Sequence, residues 1–472
     1  MDYNLIEDPW IPVLFHNGKW ERVGIRKALV EAGQIRQIAA SNPMDRVAII
    51  RFLLAVLYWC KGNPPPNLTT PSKDGFPSEW FAKLDENKEC FNLLGGGKRF
   101  YQDPTARRAR AVTDLIQEIP AGNNFWHFRH STDGEDGLCL SCCVLGLLRL
   151  PLFSVSGLPD LKAGINGTPP VYAIPLGNSL YETLCINWVS TEVVGIPAWV
   201  QSTMQMSKGE VVPLLTGLTL LSRRVMLHEP LQEQRVCINC GSKEKPVILT
   251  CEYQTAGEQK NDQWNDPHVV YTSKTPRTAI KAPDLRASGK FKTDRPWFET
   301  VIQIAEDHKF ATKAKPKGLL ITGFSTNKAL NVDVWERTIE LPSAGITPDK
   351  VGESVRRWQK GASDLSKRVR PEAEKASTRK YLEIQPVIDA IRPHVESRVS
   401  AKIRDLLEGS DTAWDQAAQE YRPMMEAVAG TLSPSYTTSA LQRRRRISST
   451  TPDMRPKAVP DKKPGRMKGG KK

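Results

Sequence analysis

The apolar positions of the chain change period along its length, and that change divides it. Near the N-terminus, Val13 to His16 and Lys19 to Val23 flank Asn17-Gly18. Two strand-like runs around Asn-Gly predict a β-hairpin whose type I′ turn needs positive φ at both central residues. A helix is predicted over about 25–32, ending at Gly33. Another is predicted from Asn42 to about Cys60, with Asn42 as N-cap and Pro43 in its first turn. The run Val47 to Cys60 is apolar apart from Arg51. It falls short of the roughly 20 residues that span a bilayer and reads as a buried helix.

Pro64-Pro65-Pro66 breaks the chain. From there to about residue 345, short apolar runs alternate with Gly, Pro, Asn and Asp. Leu184 to Val194, Val247 to Tyr253 and Gly318 to Gly323 are examples. This predicts an irregular α+β body over 1–345 with long loops. Beyond Pro348 the spacing turns helical, over 351–370, 379–407, 412–429 and 435–446. Four helices with short links predict an antiparallel four-helix bundle over 346–446.

Composition narrows the class. The 472 residues are 40% hydrophobic and 25% charged, as in a soluble globular protein. The first residues offer no basic n-region or apolar h-region, so no secretory signal and no membrane partner are expected, and a prokaryotic cytoplasmic location fits. Of the formal net charge of +14, +10 lies between Arg443 and Lys472. The last stretch, 447–472, is rich in Pro, Gly and Lys and is expected to be a disordered basic tail. It is either a solubilising tail or an electrostatic tether, with Arg443, Arg444, Arg445 and Arg446 ending a helix and touching phosphate.

Two motifs carry metal chemistry. Cys139-Leu140-Ser141-Cys142 and Cys237-Ile238-Asn239-Cys240-Gly241 are both CxxC, whereas nine cysteines predict roughly 0.17 such pairs by chance. Two knuckles close a tetrahedral site on one Zn²⁺, which is structural because no coordination position stays open. Cys143 is a competing thiol, and His127 and His130 are possible substitute ligands. Gly95-Gly96-Gly97-Lys98 lacks the phosphate-loop frame. No acidic cluster, G-x-S-x-G, H-E-x-x-H or G-x-G-x-x-G occurs, so no catalytic residues are nominated.

Basic residues interleave with aromatics in Lys98-Arg99-Phe100-Tyr101 and in Asn123-Asn124-Phe125-Trp126-His127-Phe128-Arg129-His130. Arg107-Arg108-Ala109-Arg110 and the seven basic residues of Lys274 to Arg295 add to them. Each alone reads as a solvated loop; together they suit phosphate contact plus base stacking.

Asn4-Leu5-Ile6-Glu7-Asp8-Pro9-Trp10-Ile11-Pro12-Val13 resembles the opening of the CasA family, the large subunit of type I-E CRISPR Cascade. Lys162-Ala163-Gly164-Ile165-Asn166-Gly167-Thr168-Pro169, the order of the CxxC pairs, and Gly323-Phe324-Ser325-Thr326-Asn327-Lys328-Ala329 extend the resemblance to about residue 446. It implies a non-catalytic subunit that works with crRNA, target double-stranded DNA, the backbone, handle-binding and small subunits, and a Cas helicase-nuclease. Such a subunit reads a protospacer-adjacent motif (PAM) from the minor groove and opens the duplex beside it.

By position, the resemblance places a glycine loop near Ser156 to Asp160, with Gly157, though the family's glycine run is absent. It places a lysine finger at Lys260 and a wedge at Asn327, Lys328 and Ala329, with lysine where a relative has glutamine. It also implies that the loop of Phe128, Arg129 and His130 contacts the crRNA handle and the PAM region. Two other classes stay open on the residues alone: a zinc-containing metal-dependent nuclease, and a free-standing zinc-stabilised RNA-binding scaffold.

Overall fold

Arg51 interrupts an otherwise apolar helix, so the fold must supply a buried partner for it. The computed structural model describes residues 2–66, 68, 74–119, 137–156, 162–167, 169–201, 209–231, 233, 235–243, 246–257, 261, 263–271, 279, 316–327 and 330–340. The first elements are β1 (Tyr3–Asn4), β2 (Ile11–Phe15), β3 (Trp20–Val23), α1 (Ile25–Val30), β4 (Ile35–Ile38) and α2 (Pro43–Lys61). Next come α3 (Ala82–Glu86), β5 (Asn92–Leu94), β6 (Ala109–Ala111), β7 (Leu138–Cys139) and α4 (Leu140–Phe153). They are followed by β8 (Tyr172–Leu176), α5 (Leu180–Asn187), α6 (Leu214–Thr219) and β9 (Arg223–Leu227). The last are β10 (Val247–Ile248), β11 (Thr250–Thr255), β12 (Gly318–Asn327) and β13 (Leu330–Glu340).

The helix from Asn42 begins as its sequence dictates. The Asn42 side chain accepts from the Met44 amide at 2.8 Å, and Pro43 fills a first-turn position whose N–H would lack a partner. Helix α2 is buried on all sides from Val47 to Trp59, as an apolar run without an amphipathic stripe requires. Around it pack Trp10, Phe91, Phe100 and Trp199; the ring centroids of Phe52 and Trp199 lie 5.6 Å apart. Of the apolar run Leu184 to Val194, the first four residues end helix α5 and the rest is irregular.

The strands form small sheets. Their orders are β1-β5, β10-β7, β6-β11-β9, β13-β12-β8 and β3-β2-β4. The hairpin at Asn17-Gly18 joins β2 to β3, but its turn is not type I′. Only Gly18 takes positive φ, at +85°. The Gly18 amide bonds to Phe15 O at 3.0 Å and the Phe15 amide to Lys19 O at 2.9 Å, a tight turn followed by a glycine bulge. Asn17 instead accepts the Lys19 amide on its side-chain oxygen at 2.9 Å.

The chain divides into two units, Met1–Arg295 with Gln303–Ser343, and Pro296–Ile302 with Ala344–Lys472. The four-helix bundle expected over 346–446 and the basic tail lie outside the described residues. Among the described residues, no helix is long and apolar enough to cross a membrane.

Candidate metal centre and nucleic-acid interface

The two CxxC pairs meet. Cys139 ends β7 and precedes α4, so Cys142 falls one turn along on the same helix face. The second pair occupies a turn in which the Gly241 amide bonds to Cys237 O at 2.8 Å and Gly241 takes φ +71°. A side chain at that φ would be strained, so glycine closes the knuckle. Strand β10 pairs with β7, opposing Val247 to Cys139, and a further bridge links Gly137 to Cys237.

All four Sγ atoms lie within 4.8 Å of one another, and those of Cys139 and Cys240 are 3.7 Å apart. A tetrahedron with Zn–S bonds near 2.3 Å has edges of about 3.8 Å. The Cys139 amide donates to Cys237 Sγ at 3.2 Å, and Asn239 Nδ2 donates to Cys142 Sγ at 3.3 Å. Hydrogen bonds from the Cys139 and Cys142 thiols hold Cys237 down at about 6 and Cys240 lower still. The quartet is placed to hold a metal ion. Cys143 stays outside it, buried against Leu138 O. His127 and His130 lie outside the described residues.

This centre pins one end of the segment 120–136, which carries Phe128, Arg129 and His130 outside the described residues. A buried ion-pair network pins the other. Arg149, fully buried on α4, grips Asp45 with two bonds of 2.6 and 2.9 Å and also reaches Glu118. Glu118 takes a further bond from Asn42. The N-cap of α2, helix α4 and the start of the segment are thereby joined.

Arg223, at the start of β9, is buried and spans a second segment. Its guanidinium donates to Lys162 O at 2.8 Å and to Val155 O, on either side of 156–161, which contains Gly157 and lies outside the described residues except Ser156. The neighbouring Ser222 O accepts the Ala256 amide at 3.1 Å, just past β11 and before the 258–260 segment with Lys260. Lys260 too lies outside the described residues.

The far sides of these two segments are also tied together. Asn166 accepts the Trp264 indole N–H at 2.8 Å and donates to Asp266 at 2.9 Å and to the Tyr172 hydroxyl at 3.1 Å. Asp266 is bidentate with Arg51 at 2.6 and 2.9 Å, and Arg51 also contacts His268 Nδ1 at 2.9 Å. Burial opposes ionisation of Asp266, but the Arg51 guanidinium outweighs it and holds the carboxyl below its ordinary value. The partner that Arg51 demanded is thus found 215 residues along the chain.

The same network reaches the candidate wedge. Tyr172 on β8 pairs with Thr322 on β12. Strand β12 keeps β8 beside it only from Gly318 to Thr322, whereas β13 accompanies it to Asn327, opposite Leu330. The end of the sheet is therefore a two-stranded finger over Gly323–Asn327, roughly 16 Å long at about 3.3 Å per residue. Its base is fixed by buried Phe324 against Phe153 and by Glu336 on β13, 2.7 Å from Arg46 of α2. Asn327 ends the strand; Lys328 and Ala329 lie outside the described residues, as do Arg443, Arg444, Arg445 and Arg446.

Spacing alone located the cysteine quartet. It missed Arg51, Asp266 and Arg223 as framework residues, although a lone arginine in an apolar run was a readable signal for the first.

The model of the family described as CRISPR-associated protein Cse1 matches residues 4–445. A curated CasA/Cse1 from Thermus thermophilus is 30% identical over 231 residues, 46% of this chain. That match spans only 43% of the relative's length. The crystal structure of Thermus thermophilus CasA superposes with a TM-score of 0.70 at 19% identity, covering 95% of this chain and 99% of that one. A chain of a CRISPR RNA-guided surveillance complex gives 0.66 at 16% identity, over 95% and 99%. These likenesses give the fold; the family model gives the membership, and the chain belongs to the CRISPR-associated protein Cse1 (CasA) family, the large-subunit family of type I-E Cascade.

Proposed function

We propose that the chain is the non-catalytic large subunit of a crRNA-guided surveillance complex in the prokaryotic cytoplasm. It reads a PAM in double-stranded DNA from the minor-groove side, wedges the duplex open to start R-loop formation, and recruits the helicase-nuclease. Its partners are crRNA, target DNA, and the backbone, handle-binding and small subunits. Guide pairing reads the sequence, while the protein reads the short motif beside it.

One observation carries this reading. Ser222 and Arg223 hold the near ends of the Gly157 and Lys260 segments, and Asn166, Asp266 and Tyr172 tie their far ends to the base of the Asn327 hairpin. Shared footing supports simultaneous action of the three segments on one duplex. The minor groove offers a degenerate donor and acceptor pattern, so the motif is expected to be relaxed. Unstacking a base step costs a few kcal/mol, and Lys328 would offset part of that by gripping a phosphate.

The metal we assign to Cys139, Cys142, Cys237 and Cys240 is a structural Zn²⁺. When bound it supplies a fixed tetrahedral node and no open coordination position. The nuclease reading would require such a position or a second metal; four thiols fill the first site, and the sequence offers no acidic cluster for a second. The test is assembly: the chain is expected to co-purify with crRNA and the other subunits, and the complex to bind PAM-bearing duplex in preference to a scrambled motif. A chain that binds structured RNA specifically and alone would favour the scaffold reading instead.

A further inference from the structure

Three arginines crowd four positions of the chain, 107, 108 and 110, and all three are exposed. The β6-β11-β9 sheet separates them: Arg110 opposes Cys251 and shares its face, while Arg107 lies beside Gln254 on the other. Its strands alternate: Arg223, Val225, Leu227, Cys251 and Tyr253 turn to the core, while Arg224, Met226, Glu252 and Gln254 face outward. Gln254 opposes Arg224 in the register, and its Oε1 accepts the Arg107 amide at 3.2 Å. Arg107 and Arg224 therefore flank one glutamine, two strand spacings or roughly 10 Å apart.

The acids nearby are few among the described residues. Glu252, on the outward face, lies 3.3 Å from His228, and half-buried Asp114 faces Arg110 on the other side of the sheet. Arg107 donates to the carbonyls of Pro104 and Ala106, and Arg224 reaches Thr105 at 3.4 Å. None of these contacts neutralises a guanidinium. Arginine on edge strands also discourages edge-to-edge pairing. That role does not call for two arginines facing outward on either side of one glutamine.

We propose that this outward face, through Arg107 and Arg224, binds the sugar-phosphate backbone of the duplex DNA flanking the motif. The inference rests on the functional reading above. Duplex DNA is the occupant that continuity favours. Arg224 follows Arg223, which holds both ends of the Gly157 segment, and β11 runs out at Thr255 just before the Lys260 segment. A duplex engaged by those segments would extend over this sheet. Guanidinium groups in a row suit phosphate, and they carry no base readout.

The test compares the unaltered complete complex with one carrying Arg107→Ala/Arg224→Ala. Each is titrated with a target duplex that has a long flank on the motif side, and with one cut back to the motif. The double variant should bind the long-flank duplex about fivefold more weakly, with a salt slope shallower by about 2, since each phosphate left without its arginine lowers the slope by roughly one unit. Affinity for the short duplex, crRNA content and preference for the motif should match the unaltered complex. Equal affinity of variant and unaltered complex for the long-flank duplex overturns the inference. So does lost crRNA loading, which would assign the face to RNA. Absence of motif preference in the unaltered complex, read in the same titration, overturns the functional reading rather than the assignment of this face.

Discussion

Trp264 donates its indole N–H to the side-chain oxygen of Asn166 at 2.8 Å, across 98 residues of chain. Each residue follows a segment that the family resemblance assigns to DNA, so this bond ties together the chain leaving the two segments. The same asparagine continues to Asp266 and Tyr172. Replacing Asn166 with Ala leaves the part-buried Trp264 indole N–H without this partner and should cost about 1–3 kcal/mol of stability. Motif-dependent DNA binding should fall much further than crRNA loading, as filter binding and RNA content of the purified complex would report.

Gly217 provides an independent handle on the same bond. A Cβ there would meet the Trp264 ring at 2.3 Å, so the indole must move. Gly217→Ala in α6 is therefore expected to reproduce the DNA-binding loss of Asn166→Ala without touching Asn166. The double variant should be little worse than either single one, because both break one link.

The Arg51–Asp266 pair gives a pH signature. The Asp266 carboxyl sits below its ordinary 3.8 when folded, so its contribution is complete at pH values above that ordinary value. The contribution is lost as pH falls through the folded value. Asp266→Asn leaves Arg51 buried without a counter-charge and should cost about 3–5 kcal/mol at pH 7. Urea unfolding at a series of pH values should show the gap between variant and unaltered chain narrowing below about pH 4.

Much of this was written in local sequence and some was not. Asn42-Pro43 placed the start of α2 because a cap acts within one turn. The cysteine pairs were legible because a knuckle needs its two thiols three residues apart. Asn17-Gly18 marked a hairpin, but the turn type depends on which residue takes positive φ, and the Asn17 side chain bonded Lys19 instead. Which residues partner Arg51 and Arg223 was not legible. Those partners lie from 61 to 215 residues apart and share no spacing. Arg51 and Arg149, single charges inside apolar helical runs, were the traces they left.

The metal centre should contain about one zinc per chain, resistant to chelators until unfolding. Cys142→Ser or Cys240→Ser should abolish zinc retention, measured by elemental analysis. Because Cys139 lies just after the 120–136 segment, the crRNA contact that the family resemblance implies for Phe128, Arg129 and His130 predicts lower crRNA occupancy in the same variants.

Deleting 447–472 removes eight of the basic residues and two acidic ones. If the tail is a loose tether, the salt dependence of DNA binding should flatten while motif preference is retained. Competition binding with scrambled duplex at several salt concentrations checks both.

The central claim is that a few placed residues read and open the duplex. Its most direct measurement compares the complex carrying Lys260→Ala/Lys328→Ala with the unaltered complex on duplexes with and without the motif, at physiological salt. The account predicts that crRNA content stays the same, while affinity for the motif-bearing duplex falls to that for the scrambled one. An unchanged preference for the motif would contradict it.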